Sequence, residues 1–356
     1  MPPRRPQEPA LPHSYESREI RIADHAGAGQ RSGVLTVPRA PGPHAAVLMI
    51  PGSGKQDRDE SVCGHRPFLV WADTLTRAGF VVLRLDDRGI GGSSGDKDQM
   101  THEDLVVDTA HAVLWLSRQP EVAPGRLAVL GHSEGALRAA AMGASPQIAA
   151  VVMLAGPAVP GHALILSQSE LLSRAAGADD ATIAHERAMN VAVFDTILGG
   201  DGSGAVESRV RDHIVASLMT WPSGALSEND ARAAATQMSA IVCAPGFVSL
   251  LRSNPAELIT RVQAPVLALY GERDLQVPAV MNAAPMREAL HASERARWHA
   301  QSKVEIVSGA NHLFQHCTYG TIDEYETIDE TVAPAVLERV LRFLHQTMAT
   351  TSPSSS

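Results

Sequence analysis

The stretch Arg126-Leu-Ala-Val-Leu-Gly-His-Ser-Glu-Gly-Ala-Leu-Arg-Ala-Ala-Ala-Met-Gly143 decides how this chain is read. Its first five residues are mostly apolar without alternation, the mark of a strand covered on both faces. Its last nine are rich in alanine and read as a helix. Between them Gly131-His132-Ser133-Glu134-Gly135 has the G-x-S-x-G spacing. That pattern suits a sharp strand-to-helix turn, because a Cβ on either side of the serine would collide with its neighbours. Such a turn exposes the serine Oγ above the sheet edge, next to the positive end of the helix.

Outward from this segment, short aliphatic runs alternate with segments of helical period. Glu19–Ile22, Gly33–Val37, Ala45–Ile50, Val81–Asp86, Arg126–Gly131, Ala149–Ala155, Val266–Gly271 and Lys303–Val307 read as eight strands, the first two forming an antiparallel edge. Pro67–Ala78, His102–Arg118, Glu134–Gly143, Pro278–His291 and Ala333–Met348 read as the intervening helices. This βαβ rhythm predicts an α/β fold with a mostly parallel eight-stranded sheet and helices on both faces. The rhythm stops between 156 and 263, where Ala163–Ala176, Asp180–Leu198, Ala205–Met219 and Glu228–Arg252 are helix-like and no strand is evident. The expected organisation is therefore a core of 15–155 and 264–348 interrupted by a helical lid or cap at 156–263. The proline-rich 1–14 and the Ser/Thr-rich 349–356 are expected to be disordered tails.

A serine hydroxyl is nearly inert at neutral pH and needs a base, which in turn needs a group to fix its tautomer. Asp274 follows the strand Val266–Gly271 by three residues, and His312 lies in the loop after Lys303–Val307. Ser133, Asp274 and His312 thus occur in the chain order of a nucleophile, acid and base placed on loops at successive strand ends. His132 is a weaker candidate for the base, since the neighbour of a serine in a sharp turn points away from it. His65, His102, His111 and His291 read as solvated or capping residues.

These segments, with Ile50-Pro-Gly-Ser-Gly54, Asp57-Arg-Asp-Glu60, Val82-Leu-Arg-Leu-Asp-Asp-Arg-Gly-Ile-Gly-Gly-Ser93, Leu154-Ala-Gly-Pro157 and Ala264-Pro-Val-Leu-Ala-Leu-Tyr-Gly271, resemble the α/β-hydrolases. Within that superfamily the chain is similar to bacterial serine esterases and serine-aminopeptidase-type (S33-like) hydrolases, from about Ser17 to Met348. The resemblance implies an oxyanion hole made by the backbone N–H groups of Ser53 and Glu134. It also implies a serine hydrolase that cleaves carboxylic esters through an acyl-enzyme and needs no cofactor. Peptidase or aminopeptidase activity, or acyl transfer or cyclisation, are alternatives on the same fold, and a non-catalytic ligand receptor is the alternative from another class.

Around these residues, Asp57, Arg58 and Arg88 are candidates for an ion-pair network that supports the oxyanion loop, with Glu134 as one partner. Phe194, Trp221 and Phe247 are candidates for an apolar substrate pocket in the lid, because aromatic residues make up only 4% of the chain. Composition bounds the rest. Among 356 residues, 30 Lys and Arg face 39 Asp and Glu, a net charge of -9 that leaves no basic field for nucleic acid or an anionic membrane. Cys63, Cys243 and Cys317 stand apart without a C-x-x-C, so neither a disulfide nor a zinc site is expected. The start lacks a secretory apolar region, and the longest apolar run, Ile148 to Ala155, is far short of the ~20 residues of a span. The expected setting is the cytoplasm and the expected partner a small ester, amide or peptide.

Overall fold

The computed structural model describes residues 5–24, 29–200, 204–292 and 301–349. Eight strands form one sheet: β1 (Glu16–Ala23), β2 (Gln30–Val37), β3 (His44–Ile50), β4 (Val81–Leu85), β5 (Val122–His132), β6 (Ile148–Leu154), β7 (Val266–Gly271) and β8 (Lys303–Val307), in the order β1-β2-β4-β3-β5-β6-β7-β8. β1 and β2 are antiparallel to each other and β2 to β4, and every later pairing is parallel. The antiparallel edge follows from the short link between β1 and β2, since a parallel pair needs a long crossover. β4 and β7 are buried at every position; β7 is apolar throughout, and in β4 the one charged residue, Arg84, is buried in a pair with Asp59.

Helices α1 (Pro67–Arg77) and α12 (Pro334–Thr347) pack against each other and against β4 and β6, respectively. Helices α3 (Gly135–Gly143), α9 (Pro255–Thr260) and α10 (Ala279–Ala292) form a second group, with α3 on β5 and β6 and α10 on β7 and β8. Helix α2 (His102–Ser117) precedes β5, and α11 (Ile322–Thr327) precedes α12. Among the described residues no single helix is long and apolar enough to cross a membrane.

The chain divides into two compact units. The sheet unit comprises the described residues of Met1–Lys97, Asp104–Ala158 and Pro255–Ser356, and the helical unit those of Asp98–Glu103 and Val159–Asn254. The expected insertion boundaries are thus shifted. Pro255–Thr260 belongs with the sheet because Ile259 is fully buried and α9 packs on α3 and α10. The helical unit has α4 (Gly161–Ala175), α5 (Asp180–Leu198), α6 (Gly204–Leu218), α7 (Glu228–Val242) and α8 (Pro245–Arg252). The single helix expected over Glu228–Arg252 is two helices bent by 65°, because Pro245 has no N–H to continue α7 and instead starts α8. A core of Met189, Val193, Phe194, Ile197, Val210, Ile214 and Leu251 holds the unit together.

Two further expectations are corrected. The start of the expected tail is anchored at Arg5 and Gln7: the Arg5 guanidinium donates to the carbonyls of Cys63, Gly64, Glu326 and Ile328, and Gln7 bonds Thr331 and Val332. Composition cannot reveal such contacts, since one arginine supplies most of them. The expected tails at 1–4 and 350–356 lie outside the described residues. His65 is not solvated but fully buried, with Nδ1 2.9 Å from Thr331 Oγ1 and Nε2 2.8 Å from the Tyr325 carbonyl.

Candidate active site

Ser133 sits between the last residue of β5 and the first of α3 with φ +52°, a left-handed conformation that costs a non-glycine residue about 1–3 kcal/mol. Its surroundings hold it there. The Ser133 N–H donates to the Leu154 carbonyl at the end of β6, at 2.8 Å. A Cβ on Gly131 would lie 2.3 Å from the Gly135 carbonyl oxygen, and one on Gly135 would lie 2.3 Å from that of Ile50. The two glycines of the motif therefore permit the close approach of strand, helix and the end of β3.

Asp274 and His312 are brought together although 38 residues separate them. His312 Nδ1 lies 2.8 Å from Asp274 Oδ2, both side chains being buried. The other carboxylate oxygen of Asp274 accepts the N–H groups of Gln276 (2.8 Å) and Val277 (2.9 Å), so the acid is fixed by its own turn. Gly271 makes the approach feasible: a Cβ there would lie 2.5 Å from the carbonyl oxygens of both Ala310 and Asn311. The His312 loop is braced in turn by Asn311, whose Oδ1 accepts the Leu313 and Gln315 amides.

The loop after β3 runs beside the serine. A Cβ on Gly52 would lie 3.3 Å from that of Ser133. The Gly52 N–H donates to Glu60 Oε1 at 2.6 Å, whereas the Ser53 and Glu134 amides have no acceptor among the described residues. Two free N–H groups flanking a nucleophile can receive charge on a carbonyl oxygen.

Sequence reasoning missed a chain of buried groups that connects these parts. Glu60 Oε1 also lies 3.0 Å from His132 Nδ1, and His132 Nε2 lies 3.0 Å from the His312 carbonyl oxygen. His132 thus faces an oxygen acceptor at each ring nitrogen. Burial works against a charged imidazole, but the Glu60 carboxylate and the His312 carbonyl outweigh it and raise the pKa of His132. Lys97 is a second such group, buried with its ammonium 2.7 Å from Asp87 Oδ2; burial pulls its pKa down. The signal for both was charge beside a Gly-rich loop, which reads from sequence as ordinary solvated turn.

The candidate network partners are placed separately. Arg58 grips Asp86 with Nε (3.0 Å) and Nη2 (2.6 Å), a bidentate pair that raises its already high pKa. Arg88 pairs with Asp108 at 2.6 and 2.5 Å, so the expected pairing with Glu134 is not found: the carboxylates of Asp86 and Asp108 take the two arginines instead. Asp57 closes its own turn: burial opposes its charge, but bonds from the Ser61 hydroxyl and amide and the Asp59 amide lower its pKa. In the helical unit Phe194 is buried against Phe247, ring centroids 6.1 Å apart, and Trp221 packs edge-on to His185. Of the three, Trp221 lines a cavity of about 590 Å³ within that unit. No cluster of His, Cys, Asp and Glu suited to a metal occurs among the described residues.

Residues 66–186 match the family model of the serine aminopeptidases, S33. The esterase EstD of Thermotoga maritima is 25% identical over 268 residues, which is 75% of this chain but 54% of EstD, so the chain spans about half the length of that relative. Among solved structures, the α/β-hydrolase GrgF from Penicillium sp. sh18 superposes with a TM-score of 0.55 at 18% identity, covering 94% of this chain and 99% of that one. A Pyrococcus furiosus esterase gives 0.53 at 18% identity over 98% and 97% of the two chains. The fold is that of the α/β-hydrolases.

Proposed function

We propose that this α/β-hydrolase chain cleaves carboxylic esters, with Ser133 as nucleophile, His312 as general base and acid, and Asp274 as the group that orients the base. The observation that carries the reading is the His312 Nδ1 to Asp274 Oδ2 contact of 2.8 Å, on a carboxylate already held by two backbone amides. With Nδ1–H donated to Asp274, the Nε2 lone pair is the base. As Ser133 Oγ attacks the ester carbonyl carbon, its proton passes to His312 Nε2, and the carbonyl oxygen becomes an oxyanion facing the Ser53 and Glu134 amides. The C–O bond to the alcohol breaks while His312 returns the proton to the leaving oxygen. Water, deprotonated by His312, then attacks the acyl-serine, and Ser133 leaves as its Oγ regains the proton. The likeness to EstD and to a P. furiosus esterase supports the ester as substrate.

The test is covalent labelling with a fluorophosphonate together with turnover of nitrophenyl esters of graded acyl length. Labelling confined to Ser133 and lost in Ser133→Ala is expected. Hydrolysis that survives Ser133→Ala would overturn the reading. The match of residues 66–186 to a serine aminopeptidase model favours a second reading, cleavage of an amino-terminal peptide bond by the same groups. An aminoacyl arylamide turned over faster than the matching ester would select it.

A further inference from the structure

The loop after β3 is held in an unusual way. All four carbonyls from Pro51 to Gly54 accept a hydrogen bond from a side chain. Pro51 O accepts from Arg138 Nη2, Gly52 O from Lys97 Nζ at 3.1 Å, Ser53 O from Gln56 Nε2 at 2.9 Å, and Gly54 O again from Lys97 Nζ at 2.5 Å. An ammonium has three N–H bonds, and Lys97 spends its third on Asp87. The two carbonyls that it spans bracket a single residue. That residue is Ser53.

A trans peptide points its C=O and N–H in opposite directions. The cis bonds of the described residues precede Pro12 and Pro43, so the Gly52–Ser53 peptide is trans. Drawing the Gly52 carbonyl toward the ammonium therefore turns the Ser53 N–H to the opposite side, where it meets no acceptor among the described residues. The Gly52 N–H is meanwhile held by Glu60, so this residue cannot rotate about either of its peptides without breaking a buried bond. A cation on the carbonyl side of a peptide also polarises it and makes its N–H a stronger donor.

We propose that Lys97 is a positioning residue for the oxyanion hole: by binding the carbonyls of Gly52 and Gly54 it aims and polarises the Ser53 N–H at the carbonyl oxygen of the substrate. The inference rests on the ester-hydrolase reading and deepens it. Its charge arises outside the triad and outside both residues that supply the amides, and no part of it requires Lys97 to touch substrate.

The experiment compares the full-length wild type with Lys97→Met on a nitrophenyl ester and on the thionoester in which sulfur replaces the carbonyl oxygen. Sulfur is a poor acceptor for an amide, so the thionoester reports chemistry with the oxyanion hole largely disengaged. For the ester, kcat and kcat/KM should fall together by about 10²-fold, as for removal of one transition-state donor. The thionoester should fall far less, so the ester-to-thionoester preference shrinks. Lys97→Gln, which keeps an N–H₂ donor, should recover part of that preference. Equal losses on both substrates, or no loss, would overturn the proposal, as would failure of both variants to fold by circular dichroism, which would assign Lys97 to stability. A wild type that neither turns over the ester nor labels at Ser133 would instead remove the hydrolase reading, and this inference with it.

Discussion

Both units carry exposed ion pairs, such as Lys55 with Asp96 in the sheet unit, but they differ in their buried ones. In the sheet unit Arg84 pairs with Asp59, Lys97 with Asp87 and Arg88 with Asp108, all with side chains withdrawn from solvent. In the helical unit Arg211 pairs with Glu207 and Arg232 with Glu228 one turn apart on exposed helix faces. Buried ions lose their hydration and are tolerated only in one well-bonded arrangement, whereas exposed pairs tolerate many. The sheet unit therefore fixes the loops around Ser133 in one arrangement. The helical unit is ordered by apolar packing around Phe194, Val210 and Leu251, and its surface is open to change.

The sharpest test of that contrast is removal of the groups proposed as nucleophile and base. Ser133→Ala and His312→Ala should each lower kcat for an ester by on the order of 10⁴-fold or more, and the double variant should lose little beyond either, because the groups act as a unit. Steady-state kinetics and fluorophosphonate labelling read this, and additive losses would separate the two residues into different steps. In the helical unit Phe194→Ala should lower the unfolding free energy by about 3–5 kcal/mol, read from urea denaturation, since it empties a buried aromatic site. A loss below about 1 kcal/mol would mean that the unit collapses around the gap and is softer than its packing suggests.

Polar burial should show next. Glu60→Ala leaves the Gly52 N–H and His132 without their acceptor, at about 1–3 kcal/mol for each orphaned group. Glu60→Gln adds a signature in pH. The folded pKa of His132 is raised, so the folded state binds more protons than the unfolded one above the ordinary histidine value of ~6.5. That stabilisation is complete below ~6.5 and is lost as pH rises through the folded pKa. The wild type should therefore exceed Glu60→Gln in stability most at low pH and by less as pH rises, measured as a difference in denaturation midpoint. A difference that does not vary with pH would show that His132 stays neutral beside Glu60. At the small end, Arg232→Ala breaks an exposed pair and should cost only about 0.3–0.5 kcal/mol.

Local chemistry explains what could be read before any coordinates. The G-x-S-x-G turn is specified within five residues, and the unbroken apolar runs mark strands covered on both faces. Asp274 and His312 were legible because each follows a strand end at a characteristic distance. Their contact was not, because it depends on β7 and β8 pairing side by side and on Gly271 admitting the His312 loop. The split of Glu228–Arg252 at Pro245 was legible in principle, since proline at that point cannot continue a helix. Arg5 was not, because its acceptors lie up to 323 residues away.

What the amino-acid order determined alone is the alternation of strands and helices, the antiparallel edge and the sharp turn at Ser133, all of which arise from contacts between residues close along the chain. Only the tertiary structure decided which charges are buried and what they hold. Lys97 and Glu60 stand in polar turns indistinguishable by composition from solvated loops, and they acquire their roles only when β3, β4 and β5 bring residues 52, 54, 87 and 132 to one place. The physical reason is that the effect of a charge depends on its solvent and its partners. Both are properties of the packed chain and of no segment within it.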